Sequence, residues 1–312
     1  MEVANAFLFP GQGSQAPGMG KDLVEAFAEA RAVYERADKA LEPFGLSISR
    51  LSFEGTEEQL KETAVTQPAI LTHSTAVFEV LKARGRVPSI AAGHSLGEYS
   101  ALVASGALAF EDAVVLVHRR GRFMQEAVPI GAGGMSAVIG LDPAAVADAC
   151  AEAAAATGEV CSPANFNSPE QTVIAGSVAA VARAAELLKA KGAKRVLPLP
   201  VSAPFHCALM KPAEEKLAPY LDATEFRPMA FPVVTNVDAA PSTNPAAARD
   251  ALKRQVCSPV RWVETVQLLS RHVGDAVEVG PGAVLAGLAK RIAREWPVRS
   301  TSDAAGLSKL IA

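Results

Sequence analysis

The sequence predicts an α/β protein, and three observations lead to that class. Short apolar runs of strand length alternate with segments whose apolar residues recur at helical spacing along most of the 312 residues. This alternation is typical of a mainly parallel sheet covered by helices. Residues 133–200 depart from it, because their predicted order β-α-β-β-α-β is that of a ferredoxin-like unit. We therefore predict a large subdomain at residues 1–130 and 202–312, and a small subdomain inserted at residues 131–201.

The strongest local signal is Gly93-His94-Ser95-Leu96-Gly97, which lies between an apolar run at residues 87–92 and a helical pattern at residues 98–106. This G-x-S-x-G pattern is typical of a nucleophile elbow, a sharp turn that raises a serine above the sheet. The glycines permit close backbone approach, and the N–H after the serine points to where an oxyanion forms. Ordinary Gly/Ser turns share the pattern, so Ser95 is a candidate nucleophile. His94 is a poor base for it, because neighbours on a strained turn diverge.

A glycine-rich loop follows the first predicted strand, residues 6–9. Gly11-Gln12-Gly13-Ser14-Gln15-Ala16 formally satisfies G-x-G-x-x-G/A, the fingerprint of a dinucleotide site. Pro17 and Gly18 interrupt the helix start that such a site needs. A plain turn, and a loop that supplies a backbone donor beside Ser95, are the alternatives.

Helical spacing and capping pairs define the elements of the first half. Residues 22–41 predict a helix opened by a capping box of Asp22 and Glu25, and Thr56 with Gln59 predicts a second cap. Longer helices are predicted at residues 67–84 and 111–126. His73 is interpreted as a core or surface residue rather than a catalyst.

The helix at residues 111–126 carries a cluster of cations. Arg119 and Arg120 point about 100° apart on a helix. Arg120 follows Ala113 and Val117 at spacings of seven and three, which places it on their apolar stripe, whereas Arg119 lies off it. An arginine on an apolar face is costly unless it is paired. We therefore expect Arg120 to have an anionic partner, either a protein carboxylate or a substrate.

The small subdomain and the C-terminal part continue the pattern. Strands are predicted at residues 135–139, 159–166, 171–175, 195–199, 231–235 and 276–279. Helices are predicted at residues 143–156, 178–191, 260–272 and 284–294, and a further one ends at residues 255–257. Between the small subdomain and the next helix, Pro204-Phe205-His206 forms a loop. Because loops on rigid scaffolds often carry catalytic groups, His206 is the histidine best placed to act as a general base.

Composition excludes several classes of partner. The net charge of −3 gives no general attraction to nucleic acid or acidic membranes. No stretch approaches the ~18 apolar residues needed to span a bilayer, and residues 1–5 lack the basic start of a signal peptide. The four cysteines are widely spaced, without a C-x-x-C pair, which is typical of reduced thiols. We therefore expect a cytoplasmic protein.

Six motifs occur in a characteristic order along the chain. They are Phe9-Pro10-Gly11-Gln12-Gly13-Ser14-Gln15, Gly93-His94-Ser95-Leu96-Gly97-Glu98, Arg120-Gly121, Asn165-Phe166-Asn167-Ser168, Pro204-Phe205-His206 and Glu278-Val279-Gly280-Pro281-Gly282. This set resembles the malonyl-CoA:acyl carrier protein transacylases, the stand-alone acyltransferases of bacterial fatty acid synthesis, over essentially the whole chain. The resemblance implies an α/β-hydrolase-like large subdomain with a ferredoxin-like insert, in agreement with the periodicity.

The resemblance also implies the catalytic groups. Ser95 matches the nucleophile of the family and His206 matches its base. The backbone N–H groups of Leu96 and Gln12 match the oxyanion donors. The acyl group would pass between two thiols by a ping-pong mechanism through an ester on Ser95, with one base serving both steps.

The remaining implied residues concern the substrate. Arg120 matches the arginine that binds the malonyl carboxylate. The backbone carbonyl of Gln255, rather than an aspartate, would orient the histidine. By analogy with malonyl-specific acyltransferase domains, Phe205 favours malonyl over methylmalonyl. Asn165 falls near the site without an assigned role.

The partners that the resemblance implies are malonyl-CoA and acyl carrier protein. Such carriers are acidic, so a basic patch beside the active-site mouth is expected. The candidates are Lys189, Lys191, Lys194, Arg195, Lys290 and Arg291. We expect a monomer without a cofactor, since the CoA thioester is a substrate.

An esterase or thioesterase with the same elbow is the alternative function. That fold has an acid between the nucleophile and the histidine in chain order. The available acids, none directly after an obvious strand of the main sheet, are Glu98, Glu111, Asp112, Asp142 and Asp148. A third class, a non-catalytic subunit that binds the carrier protein, is disfavoured by the presence of both Ser95 and His206.

Overall fold

The computed structural model describes residues 5–201 and 203–312. The expectation about the first residues of the chain and the predicted boundary at residue 202 lie outside them. The strands are β1 (Asn5–Phe9), β2 (Ile90–Gly93), β3 (Gly133–Ile139), β4 (Cys161–Ser168), β5 (Gln171–Ser177), β6 (Arg195–Pro198), β7 (Val233–Val234), β8 (Pro241–Ser242), β9 (Asp275–Glu278) and β10 (Val298–Ser300).

The α-helices lie between and after these strands. They are α1 (Lys21–Ala26), α2 (Ala28–Leu41), α3 (Ile48–Glu54), α4 (Glu57–Lys61), α5 (Thr63–Lys82), α6 (Gly97–Ala104), α7 (Phe110–Glu126), α8 (Pro143–Thr157), α9 (Val178–Ala190), α10 (Lys211–Ala223), α11 (Pro245–Gln255), α12 (Trp262–His272), α13 (Val284–Ile292) and α14 (Ala304–Ile311). Among the described residues, no helix is both long and apolar enough to cross a membrane.

The larger sheet has six strands in the order β10-β9-β1-β2-β7-β8. Its pairs are parallel except for β7 and β8. Alternate residues of β1 serve opposite faces, as the two-residue period of a strand requires. Phe7 and Phe9 pack with Phe78 of α5 on one face. Ala6 and Leu8 belong to a second cluster, which includes Trp262, so both faces are covered.

The smaller sheet is antiparallel and has the strand order β4-β5-β3-β6. Helices α8 and α9 pack on it through a separate apolar cluster that contains Val138, Val146, Ile174 and Leu188. The order of elements and of strands is that of a ferredoxin-like unit. The predicted fold class is therefore confirmed: a mainly parallel α/β sheet with a ferredoxin-like insert.

The helix predicted over residues 22–41 is divided, and its predicted capping box is wrong. Phe27 has extended backbone angles and separates α1 from α2, and its side chain lies in the main core. Helix α1 begins after Gly20, at a φ of 84°, without a side-chain cap. The Asp22 carboxylate instead accepts the Ala304 N–H at the start of α14, 2.7 Å away. The Asp22 carboxylate therefore bonds to α14, which is distant in the chain, and does not cap α1 as local spacing predicted.

Helix α5 begins at Thr63, before the predicted start at residue 67. Pro68 lies inside this helix and does not end it. Proline has no N–H to donate to the carbonyl four residues before it. That carbonyl, on Ala64, accepts instead from Nδ1 of His118, at 2.9 Å. The Thr56 and Gln59 capping box is present at α4 as predicted. His73 lies fully buried, 3.4 Å from the hydroxyl of Tyr34.

Candidate active site

The chain makes a strained turn between the end of β2 and the start of α6. Ser95 lies there with a positive φ of 49°. A Cβ on Gly93 would lie 1.9 Å from the carbonyl carbon of Gly97, and a Cβ on Gly97 would lie 2.0 Å from the Phe9 carbonyl oxygen. Only glycine fits at both positions. The predicted elbow is thus present, and both glycines are required by contact with backbone.

His206 lies directly beside the serine. Its Nε2 is 2.7 Å from the Ser95 Oγ, and its Nδ1 donates to the backbone carbonyls of Gln255 at 2.9 Å and Ser258 at 3.2 Å. These two acceptors hold the proton on Nδ1, which leaves the Nε2 lone pair facing the hydroxyl. Burial, and then the charge of Arg120, lower the pKa of His206 to about 3. The imidazole is therefore neutral at pH 7 and able to accept a proton.

His94 points away from the serine, as its place on the turn predicts. Its Nε2 donates to the Asn167 side-chain oxygen at 2.8 Å, and its ring contacts Trp262. The structure therefore brings one histidine, His206, to Ser95.

Arg120 is buried, with 1% of its surface exposed. Its guanidinium donates to the side-chain oxygens of Gln67 at 2.7 Å and Gln255 at 2.9 Å, and to the Ser95 Oγ at 3.1 Å. Among the described residues no carboxylate lies within 4.0 Å of it, and its Nε has no hydrogen-bond partner. Burial also lowers the pKa of Arg120. Of the two partners expected for this charge, a protein carboxylate in contact is absent from the described part of the chain.

Arg119, one position earlier, has a different environment. Its guanidinium lies 4.1 Å from the centre of the Tyr220 ring. The helical spacing therefore predicted correctly that Arg119 and Arg120 lie in different environments.

A cavity of about 120 Å³ opens above Ser95. It is lined by Gln12, Gln67, His94, Ser95, Leu96, Arg120, Met124, Met135, Asn165, Leu199, Val201, Phe205 and His206. The cavity is small and largely apolar, with the hydroxyl, imidazole and guanidinium converging in it. Gln255 is fully buried and does not line it. Its backbone carbonyl accepts from His206, and its side-chain oxygen accepts from Arg120.

Two backbone N–H groups at the cavity are without a hydrogen-bond acceptor in the described part of the chain. The N–H groups of Gln12 and Leu96 make no hydrogen bond within residues 5–201 and 203–312. The Ser95 N–H, in contrast, is taken by the Asn236 side chain. Free donors beside a nucleophile are what an oxyanion hole requires.

The glycine-rich loop lacks the helix that a dinucleotide fingerprint requires. Residues 14–20 are not helical, so no helix begins at the glycine turn to receive a pyrophosphate. A Cβ on Gly11 would lie 2.4 Å from the His94 carbonyl oxygen, which shows that this loop packs against the elbow. The loop supplies Gln12 to the cavity.

Sequence reasoning missed Asn236 and Gln67, and it considered Glu98 only as an acid available to a hydrolase. Asn236 is buried, accepts the Ser95 N–H at 2.7 Å and donates to the Gly93 carbonyl at 2.6 Å. A signal for it existed, because it follows β7, which pairs with β2, and parallel strands end at the same edge of a sheet. Glu98 lies in the elbow motif, and nothing local indicates that it is buried. Gln67 carried no signal.

None of the acids considered for a hydrolase touches His206. Glu111 pairs with Arg36, Asp142 caps α8, and Asp112 and Asp148 are exposed. Glu98 is buried and accepts from Gln255 and Asn236. Within the described residues there is also no cluster of three His, Cys, Asp or Glu able to hold a metal ion.

The six basic residues considered for carrier docking are all exposed. Lys191 pairs with Glu152 and Lys194 with Glu170. The others, within the part of the chain that the structure describes, have no ion-pair partner. Arg195 begins β6, a few positions before Leu199 on the cavity wall.

Comparison with known proteins identifies the family of the chain. The acyl transferase domain family matches residues 6–310. The chain is 52% identical to the malonyl CoA-acyl carrier protein transacylase of Salmonella typhimurium, over 97% of each chain. It is 48% identical to the enzyme of that name from Bacillus subtilis, over 96% of this chain and 93% of the relative.

Solved structures give the same result. One is a type II PKS acyl-carrier protein in complex with its malonyl-transacylase; the match has a TM-score of 0.95, with 48% identity over 99% of each chain. Another is an acyl carrier protein S-malonyltransferase from Vibrio cholerae, with a TM-score of 0.94 and 49% identity over 98% of this chain and 99% of that one.

Fold and sequence together define an enzyme of the acyltransferase class. Within that class, the chain belongs to the malonyl CoA-acyl carrier protein transacylase family.

Proposed function

We propose that this chain moves a malonyl group from CoA to the phosphopantetheine thiol of an acyl carrier protein, through an ester on Ser95. The observation that carries the proposal is the position of the Ser95 Oγ, 2.7 Å from a neutral imidazole and 3.1 Å from a buried guanidinium. The names of the relatives point to the same substrates.

In the first step the Ser95 oxygen attacks the thioester carbonyl, and Nε2 of His206 takes the hydroxyl proton. The Leu96 and Gln12 N–H groups would hold the oxygen that becomes negative, and one such donor is worth roughly 2.7–4 kcal/mol. The C–S bond then breaks, and the proton on His206 passes to the departing CoA thiol. In the second step the carrier thiol gives its proton to His206 and attacks the ester, which restores the Ser95 hydroxyl. No cofactor enters this balance.

Arg120 explains the choice of a carboxylated acyl group. The malonyl carboxylate is two carbon–carbon bonds from the carbonyl under attack, and the guanidinium contacts the attacking oxygen. A guanidinium–carboxylate pair is charge-assisted and bidentate. An acetyl group would leave the buried charge unpaired, and sites of this kind reject the lacking analogue by roughly 10⁴.

Phe205 is the proposed barrier to an α-methyl branch. It is buried and lines the cavity beside His206. In so small a cavity its ring occupies space that the methyl of methylmalonyl would need.

The exposed cations are the proposed contact for the carrier protein, with Lys189, Arg195, Lys290 and Arg291 free of ion pairs in the described part of the chain. Arg195→Glu and the double change of Lys290 and Arg291 to Glu should each raise KM for the carrier about tenfold and leave loading from CoA unchanged. Lys39→Glu, on α2, is the control and should alter neither. An equal effect on carrier and CoA steps would contradict docking at these residues.

The acyl-enzyme test is direct. Incubation with malonyl-CoA and no acceptor should add the mass of one malonyl group to the peptide that contains Ser95, and addition of holo carrier protein should remove it. Ser95→Ala should show no adduct. An adduct that persists in Ser95→Ala, or that never forms in the native protein, would refute the assignment. Release of free malonate faster than transfer would indicate a hydrolase instead.

A further inference from the structure

Glu98 is a buried carboxylate that the proposed chemistry does not use. It is 1% exposed, lies one helical turn after Ser95 and does not line the cavity. Its Oε2 accepts two hydrogen bonds, from Nε2 of Gln255 at 2.7 Å and from the backbone N–H of Asn236 at 2.9 Å. These are the two residues that hold the reacting groups.

The Gln255 side chain has two chemically different ends, and each faces a different group. Its Oε1 accepts from Arg120 at 2.9 Å, and its Nε2 donates to the Ser95 carbonyl at 3.0 Å as well as to Glu98. A half-turn of the amide would set N–H against guanidinium and oxygen against carboxylate, so every one of these contacts would become repulsive. An acceptor at Glu98 therefore fixes which end of Gln255 meets Arg120.

The second hydrogen bond that Glu98 accepts, from the Asn236 N–H, connects it to the elbow. The Asn236 backbone is held by Glu98, and its side chain bridges the Ser95 N–H and the Gly93 carbonyl. One oxygen atom thus connects to the arginine through Gln255 and to the serine through Asn236. Connected buried hydrogen bonds of this kind restrict the geometry of the groups they join.

We propose that Glu98 is a positioning residue, whose Oε2 orients the Gln255 amide and so holds Arg120 where it selects a carboxylated acyl group. The inference rests on the proposed function, because it concerns how the arginine chooses malonyl. The accepting atom is an oxygen in either protonation state, and the other oxygen, Oε1, has no hydrogen-bond partner among the described residues. A glutamine at this position therefore supplies the same acceptor.

The test measures the rates at which Ser95 is loaded from malonyl-CoA and from acetyl-CoA. Glu98→Ala should lower the ratio of malonyl to acetyl loading about tenfold or more, because it removes an acceptor shared by two buried donors. Glu98→Gln should restore the ratio to within about twofold of the native value. Equal slowing of both thioesters in Glu98→Ala, or a Glu98→Gln as defective as the alanine variant, would overturn the inference.

A further variant keeps the test decisive if Glu98→Ala does not fold. Gln255→Met removes the amide but keeps the backbone carbonyl that holds His206, so it should lower the ratio similarly and leave the acid limb of the pH profile in place. An unchanged ratio in Gln255→Met would refute the route through the amide. Combined with Glu98→Ala, it should cause no further loss, since both act on one contact.

Glu278→Ala is the matched control. It removes another buried carboxylate, which caps α13 by accepting from the Leu285 and Ala286 N–H groups. It should lower the melting temperature without changing the loading ratio. If native protein forms no malonyl adduct, the proposed function fails; if the adduct forms and Glu98→Ala keeps the ratio, only the present inference fails.

Discussion

At Arg120 a positive charge is buried against neutral side-chain amides and a hydroxyl. A buried charge that is hydrogen-bonded but not paired is costly. The helical stripe predicted that this arginine points inward, and the structure places the Gln255 side chain between its guanidinium and the Glu98 carboxyl group. The unpaired guanidinium beside an open cavity is the reason for proposing that Arg120 binds a substrate carboxylate.

Arg120→Ala should lose malonyl loading and gain acetyl loading relative to it. The ratio of malonyl to acetyl kcat/KM should fall about 100-fold, as expected for loss of one partner of a buried pair. Loading of Ser95 from the two thioesters, followed by mass spectrometry, measures it. Arg119→Ala is the control, because Arg119 stacks on Tyr220 and does not line the cavity. An unchanged ratio in Arg120→Ala would make Arg120 structural.

Among the elements, the turn between β2 and α6 depends on backbone contacts that leave no room for side chains. Gly93 and Gly97 approach each other, and Gly97 also approaches the end of β1. The serine lies between these close contacts with its positive φ of 49°. The position of Ser95, the proposed nucleophile, thus depends on the packing of three elements.

Gly93→Ala should therefore displace the elbow and slow loading of Ser95 by about 100-fold or more, since small misplacements of a reacting group have effects of that size. Its melting temperature should fall as well. Gly287→Ala, in the interior of α13 with open space around its Cβ position, should instead stabilise the protein by roughly 0.5–1 kcal/mol. Kinetics and thermal unfolding of the two variants test the contrast. Native-like activity in Gly93→Ala would show that the turn can relax.

For the whole molecule, buried titratable groups connect stability to pH. Burial lowers the pKa of His73 to about 4 and that of His206 to about 3, and it also lowers the pKa of His94 and His118. Below their usual value of 6.5 these histidines take up protons in the unfolded chain but not in the folded one. Acid therefore favours unfolding in that range.

Two carboxyls act in the opposite direction. Burial raises the pKa of Glu98 and of Glu278 from 4.5 to about 7. Each stabilises the folded state below pH 4.5, and that contribution is lost as the pH rises through 7.

Burial lowers the pKa of four histidines and raises that of two carboxyls, so the free energy of unfolding should fall as the pH drops from 6.5 to 5. One net proton over one pH unit corresponds to about 1.36 kcal/mol, which sets the scale of the expected loss. Denaturant unfolding at fixed ionic strength across this range measures it, with salt varied at pH 7 as a control for the surface ion pairs. Greater stability at pH 5 than at pH 7 would contradict the balance.

The sequence by itself determined the fold class, the division into two sheets, the elbow at Ser95 and the inward face of Arg120. Each depends on local spacing: a two-residue or 3.6-residue period, or glycines at a turn. Loop placement indicated His206 as a candidate base, but its pairing with Ser95 and the role of Gln255 required the family resemblance, because these residues are far apart in the chain.

Only the tertiary structure decided how the charges are satisfied. It placed Asn236 and Glu98 behind the site, broke the first helix at Phe27 and gave the Asp22 carboxylate to α14. It also left Arg120 without a contacting carboxylate among the described residues. The physical reason is common to all of these: a buried polar group bonds to whichever partner the packing brings near, and sequence spacing does not encode that neighbour.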